Sequence, residues 1–503
     1  MTPLTTSAVQ SENEPLDVLI IGAGVSGIGC ACYLKMNHPD RNWRILEARD
    51  RIGGTWDLFK YPGIRSDSDL YTFSYEFKPW SSPNSIAPAD EILTYLDETV
   101  EEYDLNGQID FNRKVVTADW NSGSGLWTIS VENTETGETE IITSRWLFGA
   151  AGYYNYDEGF RPKFADEESF QGEIIHPQFW PEDFSYADKK IAVIGSGATA
   201  VTIVPSMTDK AKHVVQIQRT PSYIVPRPKQ DKLALSLQKW LPASTVHALI
   251  RWKNIRVQRL FYLYCQTFPD HARKNIMRMN KRHLPEDFPA ETHFNPPYNP
   301  WDQRLCAVPD ADFFSDIRKN KVSLVTGHIE RFTPAGVQMT SGEHVDADAI
   351  IVATGLKLQM FGGVKLPLDG EPVTVSERLV YRGMMLDGVP NFCFAQGYTN
   401  SSWTLKVGLV CQHFCDLLAD MDERGATVCT PLKPEGMDED RPLLDFDAGY
   451  VKRAASILPK QGPAFPWEMN SSFPANKHAF QSRHVIQPEL KLTNPDQKIA
   501  NAG

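Results

Sequence analysis

Hydrophobic and polar positions alternate along this chain in a way that separates a few short apolar runs from longer mixed stretches, and several of those runs end in glycine. Residues 17–21 (DVLII) are an apolar run of strand length, Gly22, Gly24 and Gly27 follow in GxGxxG spacing, and Ile28 to Met36 then has helical composition. This is the strand–turn–helix opening of a dinucleotide-binding unit, in which glycines let the backbone approach a pyrophosphate at a helix N-terminus. A second strand, Trp43 to Leu46, ends in Glu47, 20 residues beyond Gly27, where such a unit carries the carboxylate for a ribose.

The same grammar returns in KKIAVIGSGATA, residues 189–200, with Gly195, Gly197 and Ala200 as GxGxxA. Two such loops, each directly after an apolar run, predict two nucleotide sites. The strand that follows, HVVQIQRT, ends in Arg219 and Thr220 rather than an acid. An arginine there suits a 2′-phosphate, which selects NADPH over NADH.

Residues 346–355 (DADAIIVATG) form another strand ending in glycine, and 146–152 (WLFGAAG) is an analogous exit. Together they predict that the first nucleotide domain resumes after the second has been inserted, giving an α/β chain of two Rossmann-like units. The expected division is 1–155 and 341–503 for the first unit with a C-terminal tail, and 156–340 for the second. Residues 231–284 read as a helical insert ended by Pro285, and from Met421 onward the tail is rich in Pro, Asp and Gly and is expected to wrap the core or cap a cleft. Aromatic and basic interleaving in the insert (RWKNIRVQRLFYLY) fits a helix with one packed and one solvated face better than a nucleic-acid surface.

Composition narrows the classes further. The chain has 503 residues, 42% hydrophobic and 23% charged, with 51 Lys and Arg against 63 Asp and Glu for a net charge of -12. That balance gives no general attraction to nucleic acid. No apolar stretch approaches the roughly 20 residues of a membrane helix, and the N-terminus has neither a basic region nor a long apolar core. Eight cysteines without a CxxC pair suggest neither a disulfide framework nor a structural zinc, so a reducing cytoplasm is expected and no metal. Cys411, His413 and Cys415 read as helix packing, because positions 411 and 415 share a face that 413 does not.

The stretch FQGEIIHPQFWP, 170–181, supplies Phe170, Gly172, His176, Trp180 and Pro181. Taken alone, it describes a linker pinned by aromatics, with His176 structural. In context it resembles the fingerprint FxGxxxHxxxWP of the Baeyer-Villiger flavin monooxygenases, met at all five specified letters. Strings such as GGTWDLFKYPGIRSDSD (53–69), YNPWDQRLC (298–306) and YTNSSWTLK (398–406) are similar to the subgroup that activates thioamide prodrugs such as ethionamide.

That resemblance implies FAD at the first loop, with Gly22, Gly24, Gly27 and Glu47 at the adenosine end and Gly54, Thr55 and Trp56 toward the isoalloxazine. It implies NADPH at the second, with Gly195, Ser196, Gly197 and Thr199 around the phosphates and Arg219 and Thr220 at the 2′-phosphate. Gln303 stands where much of the family has a lysine, which weakens the expected discrimination against NADH. Arg304 corresponds to the active-site arginine and Asp67 to its acidic partner, although 237 positions separate them. His176 is implied to couple NADPH binding to domain movement. The implied reaction is NADPH- and O2-dependent conversion of ketones to esters or lactones through a C4a-peroxyflavin, with sulfide oxidation beside it; the alternative is an N- or S-oxidising monooxygenase without useful ketone oxidation. The expected partners are a small ketone or sulfide and O2, with no nucleic acid. A monomer or dimer in the cytoplasm is expected, with peripheral membrane contact through the insert left open.

Overall fold

Two sheets, one mixed and one parallel, carry the two glycine loops in this computed structural model, which describes residues 14–437, 440–444, 449–481 and 485–495. The first begins with β1 (Leu16–Ile21), whose last four residues are buried, and the chain turns through the first glycines into α1 (Val25–Asn37). Small residues on that helix, Gly27, Gly29, Cys30, Ala31 and Cys32, let it lie close against the strands. β2 (Trp43–Leu46) and β3 (Thr139–Gly149) flank β1, both parallel to it. Apolar residues on both faces of these strands follow from helices or loops covering both sides of the sheet.

The second sheet is built wholly from the intervening chain. It contains β4 (Glu173–Ile175), β5 (Lys190–Ile194), β6 (His213–Gln218), β7 (Val322–Thr326) and β8 (Ala349–Val352), in the spatial order β7-β6-β5-β8-β4. The chain then returns to the first sheet, where β9 (Phe392–Phe394) pairs parallel with β3. One unit therefore interrupts the other.

One expectation is corrected. The run at 349–352 was expected to open the resumed first domain, but β8 pairs with β5 and β4 inside the second sheet. The expected boundary at 340 consequently cuts through the second unit. A strand ending in glycine closes both units, as β3 does in the first, so its pattern could not say which sheet it would join.

The helical insert is formed by Lys232–Leu237, a long helix Ala243–Thr267 and Pro269–Lys281. Its long helix rests on the first unit rather than on the second. A four-residue helix, α2 (Leu70–Phe73), is capped at its start by Asp69, whose side chain accepts from the Thr72 amide. Its C-terminal end meets buried Arg251, which donates to the carbonyl oxygens of Tyr71, Thr72 and Ser74 at 3.1, 3.0 and 2.9 Å. A cation is favoured there because the last carbonyls of a helix lack partners along the chain. We call the inserted unit's first helix α3 (Ala198–Met207), the long insert helix α4 (Ala243–Thr267) and the helix Trp403–Arg424 α5.

Parts of the tail pack on the first unit's core through Trp467, Phe480 and Leu490. Val428–Pro431 pairs antiparallel with Leu490–Thr493, and Asn476 donates to the Tyr398 hydroxyl at 2.8 Å. Among the described residues no helix is long and apolar enough to cross a membrane.

Candidate active site

The first glycine loop is held by close backbone contacts that leave no room for side chains. Gly22 has φ +102°, a conformation suited to glycine, and a Cβ on Gly27 would stand 1.9 Å from the Gly22 carbonyl oxygen. Glu47 lies beneath the loop and is 6% exposed. Its Oε2 accepts from the Ala23 amide at 2.7 Å and its Oε1 from the Arg49 amide at 3.0 Å. Burial raises its pKa, while those amides and Arg49 oppose the rise. Each carboxylate oxygen retains acceptor capacity after one such bond, so Glu47 both ties the loop to β2 and offers an acceptor to a ribose.

From this loop a cavity of about 540 Å³ runs across the molecule. Gly22, Gly24, Glu47, Gly54, Thr55 and Trp56 line it, and so do Asp67 and Arg304. Gly54, with φ +55°, lies against Gly24, so the Gly53-Gly54 turn folds over the first loop. Trp56 packs edge-on against Phe73, with ring centroids 5.7 Å apart.

At the far end Arg304 Nη1 lies 3.7 Å from Asp67 Oδ2, each side chain about one-third exposed at 37% and 35%. The fold thus brings together the two residues that sequence distance kept apart. The segment bearing Asp67 is clamped to the inserted unit: Arg65 bonds Asp312 at 2.6 Å, and Tyr61 is hydrogen-bonded to Thr199 on the first turn of α3. Desolvation pushes the Tyr61 hydroxyl up to about 12, against that hydrogen bond, and nearby Asp67 adds to the rise. Cys306, two residues from Arg304, is buried and its thiol is pushed up to about 12, chiefly by desolvation. It stays a neutral thiol and is no nucleophile at neutral pH.

Two aromatic residues that the sequence reading did not assign to the site form the wall beside this pair. Tyr153 stacks on Trp403 at 5.2 Å and 16°, and the Trp403 indole donates to Ser26 Oγ on α1 at 2.9 Å. Burial holds the Tyr153 hydroxyl well above its ordinary pKa. Arg49, Arg113 and Lys114 also line the cavity and bring positive charge to it. Their signal in the sequence was weak, since each is an ordinary charged residue outside any motif.

The second loop has the same backbone logic in a more open setting. A Cβ on Gly195, φ +147°, would stand 2.3 Å from the Ala353 carbonyl oxygen, whereas one on Gly197 would meet nothing within 4 Å. Ser196 Oγ accepts from Ser222 Oγ at 3.1 Å, and Thr199 meets Tyr61. Arg219 is exposed at the end of β6, with partly buried Thr220 after it. Neither lines the large cavity.

His176 stands at the turn that follows β4. It is not among the residues lining the cavity, and its ring packs where a Cβ on Gly159 would stand 2.1 Å from Cε1. Its Nδ1 accepts from the Gln178 amide at 3.2 Å. Desolvation lowers its pKa, although the Phe160 and Gly355 backbones oppose this. The ring is thus wedged against the linker backbone.

Comparison with known proteins agrees with this architecture. The flavin-binding monooxygenase-like family matches residues 16–237. The FAD-containing monooxygenase EthA of Mycobacterium tuberculosis is 47% identical over 461 residues, covering 92% of this chain and 94% of that protein. The probable FAD-binding monooxygenase AlmA of Acinetobacter baylyi is 43% identical over 472 residues, covering 93% and 94%. In three dimensions the chain is similar to an oxidized steroid monooxygenase bound to NADP, with a TM-score of 0.77, 21% identity, and 96% and 100% of the two chains covered. Its fold is also that of cyclohexanone monooxygenase, at TM-score 0.75, 18% identity and 96% and 100% coverage. With nearly its whole length matched at close to half identity, this chain belongs to the flavin-binding monooxygenase-like family.

Proposed function

We propose that the protein is a monooxygenase that uses FAD, NADPH and O2 to transfer one oxygen atom to a small organic molecule, with a sulfur or nitrogen atom as the preferred acceptor. The observation that carries the oxygen transfer is the single cavity with a glycine cradle at one end and the Arg304–Asp67 pair at the other, while the preferred acceptor rests on the resemblance to the thioamide-activating subgroup. The cradle fits a dinucleotide. Gly22, Gly24 and Gly27 let a pyrophosphate approach the positive end of α1, Glu47 would take the ribose, and Gly54, Thr55 and Trp56 would hold the extended flavin. NADPH would occupy the second loop, with Gly195, Ser196, Gly197 and Thr199 at the phosphates and Arg219 and Thr220 at the 2′-phosphate.

A bound FAD would supply the redox chemistry that links NADPH to O2. The chain's own contribution is binding, orientation and charge. Arg304 keeps its guanidinium charged at every working pH and offers several directed donors. Asp67 orients it. Tyr153 and Trp403 cover the wall with aromatic surface and exclude water, and Tyr153, held protonated, is a donor rather than a base at neutral pH. A sulfur or amine nitrogen supplies its own lone pair and needs no oxyanion site, so this geometry serves it without further groups.

Ketone oxygenation is the second reading, and Arg304 itself favours it: a fixed cation would stabilise the negative charge that develops on a former carbonyl oxygen. Mass spectrometry of products after incubation with a thioether and, separately, a linear methyl ketone tests both. A sulfoxide with little ester supports the first reading, and ester formed at a comparable rate supports the second. A yellow protein that consumes no NADPH with or without substrate would refute both.

A further inference from the structure

The outward face of α4 is apolar where a solvated helix would be polar. Leu249, Trp252, Val257, Leu260 and Leu263 are all exposed, Leu260 to 66%, and their separations of three, eight and eleven residues put them on one side. Trp240, on the turn before α4, is 83% exposed. The opposite side of the helix is the packed one, through buried His247, Arg251 and Cys265. This stripe is therefore not left over from packing, because the helix has already buried its other face.

Charge identifies what would cover it. Residues 231–282 contain eleven Lys and Arg against two Asp, a net of +9 in a chain whose total is -12. The Arg256 guanidinium lies over the Trp252 ring, 3.8 Å from its centroid, so cation and aromatic reach the surface together. Exposed Lys239 adjoins Trp240. Tryptophan and basic side chains around an apolar helix face match the boundary between headgroups and acyl chains of an anionic bilayer. A second copy meeting this face through its own would oppose two clusters of like charge, which disfavours a symmetric dimer here.

We infer that α4 and the preceding turn dock the protein on the surface of an anionic membrane, lying in the interface without crossing it. The inner side of the same helix supports the site: Gln258 and Phe261 line a small cavity of about 80 Å³ that Asp67 and Arg304 also line. Docking would thus set that wall of the site against the lipid, within reach of lipid-soluble molecules. The docking inference stands apart from which atom is oxygenated, since its readout is lipid binding.

The test uses the full-length, flavin-loaded protein with vesicles of phosphatidylcholine alone or mixed with phosphatidylglycerol. Co-sedimentation is expected with the mixed vesicles and is expected to weaken as salt is raised, because the electrostatic share is screened. The exposed double substitution Trp252→Glu with Leu260→Glu should reduce the bound fraction about tenfold or more while flavin absorbance is kept. Arg256→Glu alone should weaken binding to the anionic vesicles. The inference is overturned if wild type stays in the supernatant with anionic vesicles, or if the double variant pellets equally well. Light scattering that shows a dimer dissociated by the same double substitution would instead assign the face to a second copy.

Discussion

Arg304 and Asp67 meet at 3.7 Å with about a third of each side chain exposed, so their pairing contributes little to stability and its value lies in aiming the guanidinium. Removing one preorganised donor from a site that stabilises developing negative charge costs roughly 10²–10³ in rate. Arg304→Ala is therefore expected to lower turnover of a ketone by about that factor, with oxidation of a thioether reduced less, and flavin absorbance should persist in both cases. Equal loss on the two substrates would show that Arg304 serves a step common to both. Residue spacing alone offers no reason for positions 67 and 304 to meet; the resemblance paired them, and only the coordinates supply the distance. Tyr153 and Trp403 were not legible as site residues, because an aromatic that walls a cavity has the same sequence signature as one that fills a core.

Among the elements, the glycine turn before α1 was fully legible, since its chemistry is local. A Cβ on Gly27 would lie 1.9 Å from a backbone oxygen that cannot swing aside, so Gly27→Ala should displace the turn from the flavin site. The variant is expected to purify with little absorbance near 450 nm and to regain little on added FAD. Helix α5 carries a less visible feature: Lys406 is 1% exposed, one turn beyond Trp403, and donates to the Arg382 carbonyl oxygen at 3.1 Å. Desolvation first, and then Arg382, bring its pKa down from 10.5 to about 7. The unfolded chain keeps this proton up to 10.5 while the folded chain releases it above about 7, so this group makes stability rise with pH across that window and withdraws the gain as pH falls toward 7. Relative to Lys406→Met, wild-type unfolding free energy should rise by up to about 1.4 kcal/mol per pH unit between those values, measured by urea denaturation. His413, which the sequence placed off the face of Cys411 and Cys415, bonds Arg382 at 2.8 Å. Nothing in the 411–415 spacing announces that partner, 31 positions away.

For the molecule as a whole, the arrangement of two units about one cleft depends on contacts such as Arg65–Asp312 and Tyr61–Thr199, which tie the Asp67 segment to the inserted domain. The second nucleotide's preference is expected to rest on Arg219. Arg219→Ala should raise KM for NADPH about tenfold and leave KM for NADH nearly unchanged, measured by steady-state oxidation of each coenzyme, because a single exposed charged contact is worth on the order of 1–2 kcal/mol. A parallel rise for both coenzymes would mean that the substitution disturbed the loop rather than the 2′-phosphate contact. Both dinucleotide turns, the helical insert and the interruption of one unit by another were readable from the chain, because strand, turn and helix signals act within a few tens of residues. The sheet that β8 joins was not, since an apolar strand ending in glycine suits either unit and pairing is decided by neighbours 158 and 176 positions away, Ile191 and Glu173 opposite Ala349. Sequence by itself determined the two loops and the residue types available for chemistry. Only tertiary structure decided that Arg304 faces Asp67, that His176 stands back from the cavity and that α4 turns an apolar face outward, because those are facts of which surfaces pack together and short-range preferences do not encode them.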